Sequence, residues 1–418
     1  MTGKVTVMPN GIRVLSIQMP HMESVMVAAF VNVGSRNETI EQNGISHYLE
    51  HMAFKGTETK ECFDIMADVE MLGASVNAFT GKDRTAYYVS GRSNHLPEFV
   101  GLIGDILLNS TLPDAEIERE RGVILQEYNR SQDSGNHVAH HLFDSAAYSN
   151  QAVGRKILGE PHNIKSFVQD DFKQYMSQYY TGSNMIVGVI GSFDEAELMQ
   201  LVDTHFGALP VGTPTELVES VYTGGVEVSA GKFDQANILI GFPIHGVTDP
   251  RFYADVMAAT ILGNGMSSPL FTEVREKRGL VYSVSSYATA LDDSGMLTIS
   301  AGTTPEHFDE YFKVVCQLLK QHTTTIDPAD MVRARNQLVV SEMRKSERPF
   351  GYLIGFVEDI FINGDQISIK EQIARIEAVT EDDVMNSMKL MLSKVPTLSM
   401  CGAGADAKYY DVIKDLLK

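Results

Sequence analysis

The sequence has little cysteine, with only three such residues in 418, at Cys62, Cys316 and Cys401. An odd number without close spacing argues against a disulfide framework and against a zinc ribbon. The sequence also lacks an apolar run of the 18 or so residues that a membrane span needs, and its first residues show no charged leader before an apolar stretch. We therefore expect a cytoplasmic protein that does not enter a membrane.

Positive charge is scarce as well: 34 lysines and arginines stand against 54 aspartates and glutamates, a formal net charge of −20. This balance argues against binding to nucleic acid or to anionic membranes and favours basic ligands, although the same charge also serves solubility alone. Hydrophobic residues make up 44% and charged residues 21%, close to the globular average. At roughly 100 to 200 residues per domain, the length predicts two to four domains.

The two halves of the chain resemble each other. The segment ERGVILQE at 120–127 corresponds to RNQLVVSE at 335–342, and each ends a helical pattern that follows an apolar helix and a turn. An alternating strand pattern precedes each segment, and a helix and a short apolar strand follow it, the strand ending at Gly191 or Gly402. Corresponding positions lie 210 to 215 residues apart, which indicates an internal repeat.

The repeat predicts two homologous α+β domains, residues 1–214 and 215–418, joined near the Pro- and Gly-rich connector at 209–225. Strand patterns such as SVMVAAFVNVG from Ser24 alternate with helical patterns. We expect each domain to form one mainly antiparallel sheet with helices packed on one face.

The chemistry concentrates in GISHYLEHMAFKGT from Gly44, where His47, Glu50 and His51 form the pattern H-x-x-E-H. On a helix, the two histidines project from one face a turn apart, which suits two imidazoles that bind one metal ion. Glu50 lies beside them, where a carboxylate can take a proton from water without ligating the metal. The pattern is the inverse of the H-E-x-x-H zinc motif. A pair of helix-surface histidines beside an acid is the alternative.

A catalytic zinc site needs a third protein ligand. The second helical pattern offers Glu120 and Glu127, which lie two helical turns apart on one face. Acids on a helix usually form a solvated face, so this spacing alone does not identify a ligand. Because Ile124 and Leu125 are apolar, we expect Glu127 to emerge from a buried stripe, where a metal ion or hydrogen bonds must compensate its charge.

These segments carry a family resemblance. HYLEHMAFKGT, NAFTGKDRTAYYVSG from Asn77, RERGVILQEY from Arg119 and LFTEVREKRGLVYSV from Leu270 together resemble the pitrilysin/insulinase family of zinc metallopeptidases. The similarity spans essentially the whole chain and points to the bacterial relatives of the mitochondrial processing peptidase β-subunit. It implies a zinc-dependent endopeptidase that hydrolyses short or unfolded, extended peptides inside an enclosed chamber.

The resemblance also implies roles for particular residues. It selects His47, His51 and Glu127 as zinc ligands, because the family places the last ligand 76 positions after the second histidine. Glu50 is then the general base that takes the water proton and passes it to the leaving amine, and Glu120 is an auxiliary acid that supports the ligands.

Two further segments match parts of the family that contact substrate. Arg275 and Tyr282 match a pair that hydrogen-bonds the substrate near the scissile bond. An exposed edge strand, to which an extended peptide adds through main-chain hydrogen bonds, matches Asn77, Ala78, Phe79 and Thr80. Together with the net charge, this predicts peptide substrates that are extended and basic.

The second half has lost the metal-binding pattern. Aligning the halves at an offset of 213 places three residues without ligand chemistry opposite His47, Glu50 and His51, namely Thr260, Gly263 and Asn264. In the segment pairing of 120–127 with 335–342, at an offset of 215, Glu342 stands opposite Glu127, but a lone carboxylate does not hold zinc, so we expect one Zn²⁺ per chain. The second domain then resembles the family's inactive half, which encloses substrate.

The family builds its chamber from four such domains, which implies a homodimer here, with a heterodimer of related chains left open. We hypothesise that Arg275 and Tyr282 of one chain complete the zinc site of the other, the alternative being that they act on their own chain. The alternative function is that of a non-catalytic subunit of a larger assembly, a role that some homologous members have. The complete set of site residues disfavours this alternative.

A second group of histidines, His137, His140 and His141, has the spacing of one helical face. It offers a second metal site as one interpretation. An exposed amphipathic helix is the simpler one, because only Asp144 is near enough to complete a ligand set.

Overall fold

The computed structural model describes residues 3–418 and shows a mixed α+β fold with two sheets. The described residues form two compact units. The first comprises residues 3–128, 156–218 and 345–368, and the second comprises residues 129–155, 219–344 and 369–418. No helix within residues 3–418 is long and apolar enough to span a bilayer.

The sheet of the first unit has six strands in the order β1-β2-β6-β3-β5-β4. Only the pairing of β2 with β6 is parallel. The strands are β1 (Lys4–Val7), β2 (Arg13–Gln18), β3 (Ser24–Val31), β4 (Ser75–Thr80), β5 (Thr85–Arg92) and β6 (Met185–Gly191).

The sheet of the second unit has five strands in the order β7-β11-β8-β10-β9. Only the pairing of β11 with β7 is parallel. The strands are β7 (Gly225–Ala230), β8 (Ala236–His245), β9 (Ser283–Ala290), β10 (Ser294–Thr303) and β11 (Thr397–Gly402). This order repeats that of β2-β6-β3-β5-β4, so the internal repeat is one of topology as well as of sequence.

Helices follow the same repeat, except that a π-helical segment, Phe271–Glu276, takes the place of the second helix in the second half. Those of the first half of the chain are α1 (Ile45–Met52), α2 (Cys62–Met71), α3 (Leu96–Leu108), α4 (Asp114–Gln132), α5 (Gly135–Ala147), α6 (Pro161–Ser166), α7 (Gln169–Tyr179) and α8 (Glu195–Phe206). Those of the second half are α9 (Phe252–Gly263), α10 (Phe308–Gln321), α11 (Pro328–Ser346), α12 (Pro349–Asn363), α13 (Ile369–Ala378), α14 (Glu381–Leu392) and α15 (Lys408–Leu417).

The alternation of β3 places its side chains on both faces of the first sheet. Val25, Val27 and Ala29 are fully buried in the core beneath the helices. Ala28 and Phe30, on the opposite face, are buried too. That face is covered by α12, which packs on β3 and β6.

One helix of each half packs on the sheet built by the other half. Leu353 of α12 lies over β6 at Gly188, where a Cβ atom would come within 2.7 Å of the leucine side chain. Phe143 of α5 lies over β8 at Gly241, where a Cβ atom would come within 2.2 Å of the ring. A glycine under each helix therefore permits the close approach.

The predicted α+β class, with two repeated, mainly antiparallel sheets, is confirmed, and each sheet carries one additional helix on its second face. The units interleave along the chain, because α5 belongs to the second unit and α12 to the first. The linear boundary at 214/215 stays a prediction.

Candidate metal centre

Helix α1 carries His47, Glu50 and His51. The helix begins after Gly44, whose φ of 103° lies in the left-handed region. Ile45, Tyr48, Leu49 and Met52 are buried in the core of the first unit. The helical period therefore turns His47 and His51 away from that core.

Glu127 of α4 meets the two histidines. Its Oε2 atom lies 3.6 Å from Nε2 of His47 and 3.7 Å from Nε2 of His51. Among the His, Cys, Asp and Glu residues of the described chain, these three form a group whose ligand atoms all lie within 4.8 Å of one another. Ligands of tetrahedral zinc, about 2.0–2.2 Å from the ion, lie roughly 3.4 Å apart. The two nitrogens and one oxygen thus fit a zinc ion.

The first imidazole is held in its neutral form. Burial and, to a lesser extent, the neighbouring His51 together lower the pKa of His47 from 6.5 to about 4. A neutral imidazole is the form that binds a metal. The Nδ1 atom of His47 is buried and has no hydrogen-bond partner within the described residues.

The second imidazole is oriented by Glu120. Nδ1 of His51 lies 3.0 Å from Oε2 of Glu120, and the ammonium group of Lys55 lies 2.7 Å from Oε1. Burial favours the neutral form of Glu120, but the hydrogen bonds from Lys55 and His51 outweigh it, so the pKa of the carboxyl is lowered. An ionised Glu120 accepts the Nδ1 hydrogen of His51, which leaves Nε2 free for a metal.

The expectation that Glu127 emerges from a buried stripe is wrong. Ile124 is fully buried, but the side chain of Glu127 is 45% exposed. The buried acid is Glu120, with a side chain only 6% exposed. The carboxylate that needs compensation is therefore Glu120, and Lys55 supplies it.

Glu50 lies beside the three ligand residues and has a different partner. The hydroxyl of Thr80 donates a hydrogen bond of 2.5 Å to its Oε2 atom. Burial raises the pKa of Glu50, against the opposing effects of Thr80 and His51. Thr80, predicted only as part of the peptide-binding strand, thus also holds the predicted base.

The predicted peptide-binding residues, Asn77 to Thr80, lie in β4 at the end of the strand order of the first sheet. Helix α1 packs against β4 and β5. The side chain of Phe79 lies close to Phe350 of α12, with ring centroids 6.4 Å apart, and Ala78 packs against the core. The edge strand and the candidate metal centre are therefore neighbours within one unit.

Arg275 and Tyr282 both belong to the second unit. Arg275 lies on the π-helical segment Phe271–Glu276, with its guanidinium 4.7 Å from the centre of the Phe271 ring. The side chain of Tyr282 is 76% exposed. Both are accessible within their unit, and their contact with substrate stays a prediction.

The corresponding helix of the second unit has no histidine, and the three positions that match His47, Glu50 and His51 carry no zinc-ligating side chain. Thr260 and Gly263 lie on α9, and Asn264 directly follows it. The hydroxyl of Thr260 donates to the carbonyl of Val256 within the helix, over 2.8 Å.

The other histidine group lies on α5, in agreement with the helical interpretation. His140 contacts the Asn136 carbonyl through Nδ1 and the Tyr287 hydroxyl through Nε2, each at 2.8 Å. Within residues 3–418, His137, His140 and His141 do not belong to the group of potential metal ligands.

Sequence reasoning missed Lys55 and gave no role to Glu38. Lys55 follows His51 by four residues, and on a helix this spacing predicts a side chain on the same face as His51. Glu38 lies in the loop before α1, in extended backbone directly after a 3₁₀ turn, and had no periodic signal. Its carboxylate contacts the first residues of α1.

Two histidines and an acid on one helix, a carboxylate from a second helix and an adjacent sheet edge form the arrangement typical of a zinc metallopeptidase. The family model of the Insulinase family (Peptidase family M16) matches residues 13–161, and that of the Peptidase M16 inactive domain matches residues 166–338. An uncharacterized zinc protease of Rickettsia felis is 31% identical over 394 residues, which cover 94% of this chain and 96% of that protein. The chain therefore belongs to peptidase family M16, as predicted.

Two further comparisons agree. The mitochondrial-processing peptidase subunit beta of Bos taurus is 30% identical over 412 residues, which cover 96% of this chain and 84% of that protein. The crystal structure of a protease from Helicobacter pylori superposes with a TM-score of 0.86, at 21% identity, and the match covers 96% of this chain and 99% of that one. The structural likeness confirms the fold.

Proposed function

We propose that this protein is a zinc-dependent endopeptidase that hydrolyses short or unfolded, extended peptides. The observation that carries the proposal is the group formed by His47, His51 and Glu127, with Glu50 on the same helix. Relatives named zinc proteases support the choice of metal.

The ligand set fits zinc in number, type and spacing. When bound, zinc acidifies a water molecule and polarises the carbonyl of the scissile bond. One ion per chain is proposed, because the second unit offers Thr260, Gly263 and Asn264 at the corresponding positions.

Glu50 is the proposed general base. It takes the proton of the attacking water and delivers it to the leaving amine, and its raised pKa brings it closer to the range in which a carboxyl exchanges protons efficiently. The Thr80 hydroxyl holds one oxygen of Glu50, which leaves the other for the water. Glu120 orients His51 and carries no proton in the reaction.

Strand β4 is the proposed docking site for substrate. An extended peptide that pairs with its free edge forms main-chain hydrogen bonds and is read more by its extension than by its sequence. Arg275 and Tyr282 are proposed to hydrogen-bond the carbonyl of the scissile bond as negative charge develops on it. The net charge of −20 favours basic peptides.

We also propose a homodimer whose domains enclose the substrate in a chamber. In this arrangement, Arg275 and Tyr282 of one chain serve the zinc site of the other. A folded protein does not fit such a chamber, so the substrates are peptides and unfolded segments.

The test is digestion of a mixed peptide library by the zinc-loaded protein, with products identified by mass spectrometry. Cleavage that is abolished by a chelator, restored by Zn²⁺ and absent in Glu50→Gln supports the proposal. A zinc-loaded protein that cleaves no peptide contradicts it and favours a non-catalytic subunit.

A further inference from the structure

A buried carboxylate closes the N-terminus of α1. Glu38 is only 3% exposed. Its Oε2 atom accepts the backbone N–H of Gly44 at 2.8 Å and a hydrogen of the Asn43 amide at 3.0 Å, and its Oε1 atom accepts the N–H of Ser46 at 2.9 Å. The carboxylate thus accepts hydrogen bonds from N–H groups that have no partner inside the helix.

These contacts end directly before the first histidine. Ser46 precedes His47 and is itself completely buried, with its hydroxyl 2.8 Å from that of Tyr175. Gly44 approaches Gly159 so closely that a Cβ atom on Gly44 would lie 2.8 Å from the Gly159 Cα atom. The start of α1 is therefore fixed from the carboxylate side, from α7 and from the loop that contains Gly159.

The same network reaches the helix of the third ligand. The amide of Asn43 also donates to the carbonyl of Lys156, at 2.9 Å. The ammonium group of Lys156 donates to the hydroxyl of Tyr128 at 3.0 Å and to Glu160 at 2.9 Å. Tyr128 directly follows Glu127 on α4. A continuous chain of polar contacts therefore links the start of α1 to the ligand-bearing end of α4.

Burial of this carboxyl is costly. It raises the pKa of Glu38 to about 7, although the N–H groups of Gly44 and Ser46 act in the opposite direction. A buried charged group of this kind contributes little net stability compared with an apolar side chain. Its contribution is better explained by the geometry that it imposes.

We propose that Glu38 is a positioning residue of the metal centre, which sets the placement of His47 and His51 relative to Glu127. The inference rests on the proposed zinc site. Ligand atoms displaced by a fraction of an ångström lose affinity because zinc requires short bonds in a fixed geometry.

The second unit supplies a matched control. Asp255 on α9 is 1% exposed and accepts the N–H of His245 at 2.9 Å, Nδ1 of His245 at 2.7 Å and the hydroxyl of Ser387 at 2.5 Å. It is a buried, hydrogen-bonded carboxylate on the corresponding helix, which carries no histidine. Its loss affects the fold and not a metal site.

The experiment compares full-length wild type, Glu38→Gln, Glu38→Asp and Asp255→Asn at a temperature where circular dichroism shows each to be folded. The zinc affinity is measured with Zn²⁺ and a competing chelator, and the ligand geometry is followed by the visible spectrum of the Co²⁺-substituted proteins. We expect Glu38→Gln to weaken zinc binding by about 10-fold or more, the loss typical of residues that orient ligands, and to change the Co²⁺ bands. Asp255→Asn should lower the melting temperature and leave both readouts unchanged.

Wild-type zinc affinity and Co²⁺ spectrum in Glu38→Gln would overturn the inference. So would equal losses of zinc in Glu38→Gln and Asp255→Asn, because the effect would then be general destabilisation. If Glu38→Gln does not fold, Glu38→Asp, which keeps the charge but is one methylene shorter, decides by the same criteria. A wild-type protein that binds no Zn²⁺ would instead overturn the proposed function and, with it, the inference.

Discussion

The two units share the topology of five strands and differ in the side chains that one corresponding helix carries. Helix α1 carries two imidazoles and a carboxylate, whereas α9 carries Thr260 and Gly263 at the corresponding positions. Both sheets are complete, and both units have a large apolar core. The fold of a unit therefore does not require the candidate metal ligands, which makes the second unit a natural control for the first.

The largest expected effect is a loss of catalytic activity without a loss of zinc, from a change in the first unit. Glu50→Gln should lower kcat/KM for a peptide by roughly 10²–10⁴-fold, because a glutamine cannot take the water proton, which general base catalysis requires. Zinc content should stay at the wild-type value, since Glu50 lies outside the group formed by His47, His51 and Glu127. Peptide assays and metal analysis on the same preparation measure both. Cleavage at the wild-type rate would mean that another group is the base.

The next effect compares equivalent acids of the two units. Glu127→Gln removes a proposed ligand and should therefore weaken zinc binding by more than about 10–100-fold. That range is the loss expected when a residue that only orients a ligand is removed. Glu342→Gln, at the corresponding position of the second half, should leave zinc binding unchanged. Metal analysis after dialysis against a weak chelator measures the difference. Equal zinc loss in the two variants would contradict the assignment of a single site to the first unit.

The sequence predicts the histidine pair well because its signal is local. His47 and His51 need only the helical period to share a face, and the fold class follows from strand and helix patterns that recur at a constant offset. Glu127 was selected by family resemblance, and the physical argument for its burial was wrong. The reason is that an apolar run in the sequence did not show which side of α4 faces the open site.

Other features depend on contacts between distant segments. Lys55 supports Glu120, and Glu38 supports α1 from the preceding loop. The residues that contact Glu38 have no regular spacing in the sequence. The spacing of His137, His140 and His141 favours a helix at α5, but amphipathic periodicity does not say which sheet a helix covers. Only Gly188 and Gly241 hint at the close packing, and many glycines have other causes.

A third prediction uses the protein without metal. The pKa of His47 is about 4 in the folded protein, below its ordinary value of 6.5. As the pH falls from about 6.5 to 4, the unfolded chain binds a proton at this residue before the folded protein does, so stability decreases by up to about 3 kcal/mol. Thr260, which occupies this position in the second unit, does not titrate and contributes no such change.

Urea unfolding of metal-free wild type and His47→Gln between pH 7 and pH 4 measures this difference. The free energy of unfolding of wild type should fall more steeply with decreasing pH than that of the variant. Thr260→Gln, the matched change in the second unit, should keep the wild-type slope. Parallel curves for wild type and His47→Gln would show that the pKa of His47 is not lowered in the folded protein.

The last and smallest expected signal tests whether the second unit of one chain serves the first unit of its partner. Glu50→Gln keeps Arg275, and Arg275→Ala keeps the zinc site. If the residues act between chains, a mixed dimer regains one complete site, because the zinc site of the Arg275→Ala chain receives Arg275 from the other. With equal amounts and free exchange, half of the dimers are mixed, so activity returns to roughly a quarter of the wild-type value. If the residues act within a chain, every site keeps one defect.

Each variant incubated alone is the control, and Arg275→Ala must itself be strongly impaired. Co-expression ensures that subunits combine, and under that condition a mixture no more active than its separate components would exclude the arrangement between chains.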